Sequence, residues 1–212
     1  MKPNRSRDLP DLLRQKMMEQ LPGRTGQRRF QPELSYGRQY GPSAHDTRQA
    51  AVIALLYCHD DQWFLLLTKR PAEMADHAGQ ISLPGGLVEK GESRQDAALR
   101  ELEEELGITL PEANILGQLS SIYVFVSNFC VQPYVGYVAS RPAIIANPIE
   151  VAKVLELPID VLLNPRSHGH HSVSHGDLMF GAPHIEFDGE RIWGATGMIL
   201  GELAMLLEQV TQ

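Results

Sequence analysis

The sequence predicts an α/β protein, and three stretches of its 212 residues carry that prediction. Residues 49–57 form a continuous apolar run of strand length, and residues 63–68 follow as a hairpin partner across a short polar turn. Residues 95–106 are rich in helix formers and contain no Gly or Pro. Residues 195–210 have apolar side chains at helical spacing, so they should close the domain as a second helix.

The first 45 residues are expected to form a basic extension to a domain that spans residues 46–212. Residues 1–48 contain ten Lys or Arg and five Asp or Glu, a net +5, whereas the remaining nine basic and twenty-one acidic residues give −12. Residues 9–21 have the spacing of an amphipathic helix, and residues 22–46 indicate an extended linker or lid. This extension could contact substrate phosphates or RNA, but a solvated or packing segment is favoured. The acidic body argues against a nucleic-acid-binding surface.

The rest of the chain predicts further short elements around these stretches. Residues 69–83 should form a loop that ends in a short strand. The other candidates are strands 115–126 and 129–139 around a turn at Ser127 and Asn128, short helices 149–155 and 159–163, strands 172–175 and 178–180, and a hairpin 185–193 around Asp188 and Gly189.

Cysteine usage and hydropathy indicate a cytoplasmic protein. Cys58 and Cys130 lie in apolar strand-like runs without a CxxC pattern, so both are expected to be reduced core residues. The N-terminal region has no apolar signal core, and the early apolar run at residues 51–58 is too short to cross a bilayer. We therefore expect no membrane association.

A histidine-rich segment suggests two alternatives. Its members are His168, His170, His171 and His175. A structural zinc site is one alternative, but no Cys or carboxylate completes a recognisable ligand spacing. A polar loop that leads into a strand is therefore favoured.

The predicted helix at residues 95–106 concentrates negative charge. Ser93 is its expected N-cap, and Gly107 is its expected left-handed stop. At 100° per residue, three leucines fall on one side and three glutamates roughly opposite: Leu99, Leu102 and Leu106 against Glu101, Glu104 and Glu105. Two carboxylates about 5 Å apart repel by roughly 3 kcal/mol at an effective dielectric constant near 20.

A divalent cation would relieve this repulsion, and Mg²⁺ or Mn²⁺ prefers clustered carboxylate oxygens. The turn at Pro84, Gly85 and Gly86 could bring a backbone carbonyl to the same ion. An exposed acidic helix face is the alternative, because most charge runs are solvated. That alternative does not explain Glu92 and Arg100 at fixed spacings from the glycines.

Residues 86–108 match every position of the Nudix box, G-x5-E-x7-R-E-U-x-E-E-x-G-U, where U is a bulky aliphatic residue. The chain therefore resembles the Nudix hydrolases. The resemblance implies Mg²⁺-dependent hydrolysis of a diphosphate linked to another group. It also implies an α/β/α sandwich with a mixed β-sheet and a loop–helix–loop metal site.

The same resemblance implies roles for individual residues of the box. Glu101 and Glu105 would be the principal metal ligands, helped by Glu104 and the carbonyl of Gly85. Arg100 and Glu92 would brace the carboxylates. Either Glu104 or Glu105 would take the proton of the attacking water.

The stretch before the box, LLTKRPAEMADHAGQISLPGG at residues 66–86, resembles the extra motif of the coenzyme A pyrophosphatase branch, LLTxRSxxMRxHxGxVxFPGG. Trp193, Gly194 and Thr196 also resemble a WG-x-T element of that branch. The departures from the branch pattern are Pro71, Ala75, Ile81 and Leu83. Ala75 stands where the pattern has an arginine, which removes one expected phosphate contact.

The second motif nominates substrate-binding residues. Arg70 and His77 are expected to bind phosphates, although His77 could instead be a structural loop histidine. Gly79 should allow a close approach of the chain. Glu150 could supply a further ligand or a general base, or it could be an acid at a helix N-terminus.

The branch resemblance implies hydrolysis of coenzyme A or acyl-coenzyme A to 3′,5′-ADP and a 4′-phosphopantetheine compound. The alternatives are hydrolysis of ADP-ribose or a nucleoside triphosphate, and a ligand-sensing domain without catalysis. The intact glutamates at positions 101, 104 and 105 argue against the last. We expect a small-molecule diphosphate as the partner and no nucleic acid, and a homodimer is left open.

Overall fold

The computed structural model describes residues 5–33, 46–72, 79–125, 127–175 and 178–211. Five helices and eleven strands lie within these ranges. They are, in chain order, α1 (Arg5–Met18), α2 (Arg24–Gln27), β1 (Arg48–His59), β2 (Gln62–Lys69), β3 (Ile81–Ser82), β4 (Gly85–Leu87), α3 (Arg94–Leu106), β5 (Ile115–Gln118), β6 (Ile122–Val124), β7 (Phe129–Val138), β8 (Lys153–Pro158), α4 (Ile159–Leu163), β9 (His168–His175), β10 (Leu178–Phe187), β11 (Glu190–Ile192) and α5 (Gly194–Thr211).

The larger of two sheets is mixed, as expected. Its main path runs β3-β2-β1-β7-β5, while β4 pairs with β1, β6 with β7 and β8 with β2. β1 runs antiparallel to β2 and parallel to β7. The tight β1–β2 hairpin uses Asp60 and Asp61 at φ 49° and 58°, the backbone region that two-residue hairpin turns require.

Both faces of β1 are buried, which explains its continuous apolar sequence. Ala51, Ile53 and Leu55 pack on the side of α3. Ala54 and Leu56 belong to the cluster on the other side, which also contains apolar residues of α1 and α5. The sheet therefore lies between two helical layers, and the predicted α/β/α sandwich is confirmed.

The N-terminal segment packs into the same core. Leu13 of α1 and Phe30, in the 3₁₀ turn that follows α2, are 0% and 1% exposed and join the cluster that contains α5. Helical turns cover residues 24–30, so the expectation of an extended linker or lid is wrong there. Residues 34–45 lie outside the described residues, and the division at residue 45 stays a prediction.

Two other predictions of secondary structure are wrong. Residues 149–155 do not begin a helix, because Lys153–Pro158 forms β8, which pairs with β2. Residues 115–126 form two short strands and not one, since the chain leaves the sheet between β5 and β6. The late strands are confirmed as a second sheet of order β11-β10-β9. No helix of the described residues is long and apolar enough to cross a membrane.

Candidate active site

Helix α3 presents the acidic residues and is capped as predicted. The backbone N–H of Asp96 donates to Oγ of Ser93 at 3.1 Å. Gly107 ends the helix at φ 67°, and its N–H donates to the carbonyl of Glu103 at 2.8 Å. These caps satisfy backbone groups that the ends of a helix otherwise leave unpaired.

The distribution of residues around α3 differs from the prediction. The buried face consists of Ala97, Ala98, Leu102, Leu106 and Glu105. Leu99 is only half-buried, and Glu105 is 3% exposed. The expectation that all three carboxylates lie opposite the leucines is therefore wrong for Glu105, because at 100° per residue Glu105 lies only about 60° from Leu102, at the edge of the buried face.

Two glycines of β4 permit close contact with the sheet and with α3. The N–H of Ile53 donates to the carbonyl of Pro84 at 2.9 Å, which ties this turn to β1. Gly85 has φ 150°, and a Cβ atom there would lie 2.3 Å from the carbonyl oxygen of Ala51. A Cβ atom at Gly86 would lie 2.3 Å from Oε1 of Glu101. The turn therefore has no room for larger residues.

Three carboxylates converge beside this turn. Glu101, Glu105 and Glu150 each offer an oxygen, and these oxygens lie within 4.8 Å of one another. We call these three residues the acid cluster. Glu104 has a side chain that is 52% exposed and pairs with Arg100, and it lies outside the cluster. The loop after β7 brings Glu150 to the helix. The sequence left open whether Glu150 joins the site or is an acid at a helix N-terminus, and the structure places it in the acid cluster.

The electrostatics of the acid cluster favour a bound cation. Burial, followed by the negative charge of Glu101, raises the pKa of Glu105 to about 8, while the positive charge of Arg70 opposes this shift. Burial also raises the pKa of Glu101. All the potential metal-ligand atoms of the cluster are hard carboxylate oxygens, the ligand type that Mg²⁺ and Mn²⁺ prefer. The residues present therefore fit a divalent cation.

Arg100 connects the parts of the site. Its guanidinium donates to Glu92 at 2.9 and 3.2 Å, to Glu101 at 2.9 Å, to Glu104 at 2.8 Å and to the carbonyl of Leu87 at 3.0 Å. Glu92 also accepts the N–H of Glu89 at 2.9 Å, and its hydrogen bonds with Arg100 lower its pKa. Arg100 thus joins Glu92 to Glu101 and Glu104, and the role of Arg100 and Glu92 as a brace stays a prediction.

The residues nominated for substrate binding are only partly described. Nε of Arg70 is buried and has no hydrogen-bond partner among the described residues. Gly79 has φ 67°, and no described atom lies within 4 Å of an added Cβ, so the backbone conformation and not a close approach explains this glycine. His77 and Ala75 lie outside the described residues.

The histidine-rich segment forms strand β9 and shows no zinc site in the described part of the chain. Nε2 of His168 contacts the carbonyl of Leu162 at 2.9 Å. His171 pairs instead with His184, a β10 residue that sequence reasoning missed, at 3.1 Å between their Nδ1 atoms. Among the described residues, only the acid cluster brings together three side chains able to hold a metal ion.

Fold and site together define an α/β/α protein with a carboxylate site suited to a divalent cation. The sequence model of the NUDIX domain matches residues 47–168, more than half of the chain. The chain therefore belongs to the Nudix hydrolases, and it is a Nudix pyrophosphohydrolase.

Similar proteins agree with this assignment. The chain is 34% identical to the Nudix hydrolase NudL of Photorhabdus laumondii over 77% of this chain and 87% of the relative. It is 28% identical to Nudix hydrolase 3 of Caenorhabditis elegans over 83% and 80% of the two chains. The crystal structure of a MutT/nudix family protein from Enterococcus faecalis has a TM-score of 0.55 at 21% identity, over 84% of this chain and 67% of that chain.

Proposed function

We propose that this Nudix hydrolase cleaves the diphosphate of coenzyme A or acyl-coenzyme A, giving 3′,5′-ADP and a 4′-phosphopantetheine compound. The single observation that supports the chemistry is the acid cluster, in which three carboxylates share a space suited to a cation. The choice of substrate rests on the motif at residues 66–86, which resembles that of the coenzyme A pyrophosphatase branch.

Glu101, Glu105 and Glu150 would hold the Mg²⁺ or Mn²⁺, and the resemblance adds the carbonyl of Gly85. A bound ion supplies charge neutralisation at the diphosphate and lowers the pKa of a water molecule. Glu104 lies at the exposed rim of the site, where it would accept the proton of the attacking water or add a further ligand. Glu105 remains the alternative proton acceptor.

Arg70 would bind a phosphate of the substrate. Its Nε is buried without a hydrogen-bond partner among the described residues, and its positive charge acts on Glu105. A guanidinium pairs well with phosphate oxygens, so an anionic ligand beside the acid cluster would satisfy this donor. His77, on the same loop, is the second proposed phosphate contact, and Gly79 gives that loop its turn.

The proposed reaction takes place in the cytoplasm. Cys58 and Cys130 are both half-buried and form no disulfide with each other, and reduced thiols are usual in that compartment. The proposed partner is a small diphosphate and not a nucleic acid. A homodimer stays an open alternative to a monomer.

The test is product analysis with Mg²⁺ on coenzyme A, dephospho-coenzyme A, ADP-ribose and a nucleoside triphosphate. We expect 3′,5′-ADP from coenzyme A, at a rate that exceeds turnover of the other compounds. Glu105→Gln should lower turnover by orders of magnitude, because it removes a charged oxygen from the proposed metal site. Near-normal turnover by Glu105→Gln at saturating Mg²⁺ would contradict the role of the acid cluster.

The second candidate function is hydrolysis of ADP-ribose or a nucleoside triphosphate. The observation that favours it is Ala75, which stands where the coenzyme A branch has an arginine. Faster turnover of ADP-ribose than of any coenzyme A compound would select this candidate. A ligand-sensing domain would hydrolyse none of the four compounds.

A further inference from the structure

The loop at residues 139–152 carries Glu150 to the acid cluster and is attached at both ends. Near its start, Arg141 donates to the two carboxylate oxygens of Glu156 on β8 at 2.7 and 2.8 Å. At its end, the N–H of Ala152 donates to the carbonyl of Lys69 on β2 at 2.8 Å. These contacts fix the ends of the loop to the sheet but leave the turn before Glu150 to be held by other groups.

The middle of the loop is bonded directly to the last turn of α3. The N–H of Ile145 donates to the carbonyl of Leu106 at 2.8 Å, and the N–H of Asn147 donates to the carbonyl of Glu105 at 2.9 Å. The last carbonyls of a helix have no partner within the helix, so the loop satisfies two of them. The loop is therefore attached to the backbone of a residue of the acid cluster.

Asn147 also organises the turn that presents Glu150. Its Oδ1 accepts the N–H of Ile149 at 3.1 Å. Its carbonyl accepts the N–H of Glu150 at 3.1 Å and that of Val151 at 2.8 Å. Asn side chains stabilise turns through this bond to the backbone two residues on.

Side-chain packing does little to hold the residue before Glu150. Ile149 is 79% exposed, so its side chain contributes little buried area to the turn. Val151, one residue after Glu150, is 4% exposed and belongs to the core on the α3 side. The position of Glu150 thus depends on the Val151 anchor from one side and on Asn147 from the other.

We propose that Asn147 is a positioning residue that couples Glu150 to Glu105. The backbone N–H of Asn147 donates to the α3 backbone at Glu105. The carbonyl and side chain of the same residue accept hydrogen bonds from the turn that carries Glu150. The inference rests on the proposed function, because it takes Glu150 as a ligand of the divalent cation. Removing the side chain of Asn147 should loosen the Glu150 side of the site while leaving the α3 side in place.

The test compares Asn147→Ala with Asn147→Ser, whose hydroxyl can accept the same backbone N–H without adding charge. Mn²⁺ binding is measured by electron paramagnetic resonance on the full-length protein, together with kcat and KM. Substitution of groups that orient metal ligands typically weakens metal affinity about 10–100-fold. We expect Asn147→Ala to raise the Mn²⁺ Kd about tenfold and Asn147→Ser to restore most of that loss.

Asn164 provides a matched control. Its Oδ1 accepts the N–H of Arg166 at 3.1 Å, and its carbonyl accepts the N–H of Ser167 at 3.0 Å, which reproduces the Asn147 turn after α4. Asn164→Ala should lower the melting temperature about as much as Asn147→Ala and leave the Mn²⁺ Kd unchanged. An equal loss of Mn²⁺ affinity in both variants would overturn the positioning role.

A double-mutant cycle with Glu150→Gln separates positioning from a general effect. If Asn147 acts through Glu150, Asn147→Ala should have little further effect on Mn²⁺ binding once Glu150 is changed. An undiminished effect in the Glu150→Gln background would overturn the proposal, as would an unchanged Kd in Asn147→Ala itself. Retained Mn²⁺ binding and turnover in Glu105→Gln would instead contradict the proposed function, so the two failures are distinguishable.

Discussion

A Cβ atom added at Gly86 would lie 2.3 Å from Oε1 of Glu101 and 2.5 Å from its Cδ. The glycine that begins the Nudix box thus makes room for a carboxylate of the acid cluster. Its neighbour Gly85 has a different role, because a Cβ atom there would meet the backbone of β1. Gly86 therefore leaves space for a side chain of the site, whereas Gly85 leaves space for the backbone of the sheet.

Gly86→Ala should impair activity more than stability. The clash is with the end of a flexible side chain, so we expect Glu101 to move and the fold to persist. Mn²⁺ affinity and kcat should each fall by about tenfold or more, as for other changes that displace a metal ligand. Titration calorimetry and steady-state kinetics measure both quantities.

Gly181→Ala is the matched control for Gly86→Ala. A Cβ atom at Gly181 would lie 2.7 Å from Oε2 of Glu33, a comparable clash with a carboxylate outside the acid cluster. This variant should keep wild-type Mn²⁺ affinity. Wild-type affinity in Gly86→Ala would show that Glu101 does not contribute to the site.

The raised pKa of Glu105 predicts that the metal-free protein loses stability as pH rises. Its pKa rises from 4.5 to about 8 on folding. When folding raises the pKa of an acid, the free energy of unfolding is highest below the pKa of the unfolded state. It falls as pH rises through the pKa of the folded state. In EDTA, the melting temperature of Glu105→Gln should therefore exceed that of the wild type by more at pH 8.5 than at pH 5.5.

The comparison with Glu105→Gln isolates this carboxylate from other titrating groups. Excess Mg²⁺ should raise the wild-type melting temperature at pH 8.5 and have a smaller effect on the variant, because binding to the folded state stabilises it. A melting-temperature difference between the two proteins that does not change with pH would contradict the raised pKa of the buried Glu105 carboxyl.

Arg100→Lys should lower turnover although it keeps the positive charge. The guanidinium reaches three carboxylates and the carbonyl of Leu87, whereas a lysine ammonium is a compact charge on a flexible stem. We expect kcat to fall by about tenfold or more through misplacement of Glu101. Arg29→Lys is the control, because the ion pair that Arg29 makes within the described residues, with Glu208 at 2.7 Å, is one that lysine can replace.

The sequence predicted the sheet and α3 where local signals agree. Some features are specified by residues that are close together in the chain. They are the apolar run of β1, the turn at Asp60 and Asp61, and the helix caps at Ser93 and Gly107. Glu105 was assigned to the wrong side of α3 because the three glutamates were treated as one group, although Glu105 lies only about 60° from Leu102 around the helix. Ala97 and Ala98 are also buried, and Ala98 lies two turns before Glu105 on the same side of the helix.

Long-range placement could not be predicted. Glu150 was one possible ligand, but no spacing rule relates position 150 to position 105, so the sequence left its position open between a ligand and an acid at a helix N-terminus. The charge pattern of the first 48 residues indicated an extension, but Phe30 packs against the cluster that contains α5. A helix was predicted to begin in residues 149–155 because the local sequence does not reveal that Lys153–Pro158 pairs with β2, a partner more than eighty residues earlier.

The docking of α1 provides the final prediction, because adjacent leucines of this helix differ in burial. Leu13 is fully buried in the core cluster, whereas Leu12 is 39% exposed. Truncation of a buried leucine to alanine typically costs about 2–5 kcal/mol, through lost burial and the cavity left behind. Leu13→Ala should therefore lower the free energy of unfolding by about that amount, as measured by urea denaturation, and Leu12→Ala should lower it by much less.

The same pair of variants tests whether the N-terminal segment belongs to the folded domain. If α1 were only a solvated extension, both variants would unfold at the wild-type urea concentration. Because α1 packs against α5 and β5 in one core cluster, whereas α3 packs in the other, we expect both variants to keep wild-type kcat below the unfolding transition. A loss of kcat in folded Leu13→Ala would mean that α1 packing also sets the geometry of the acid cluster across the sheet.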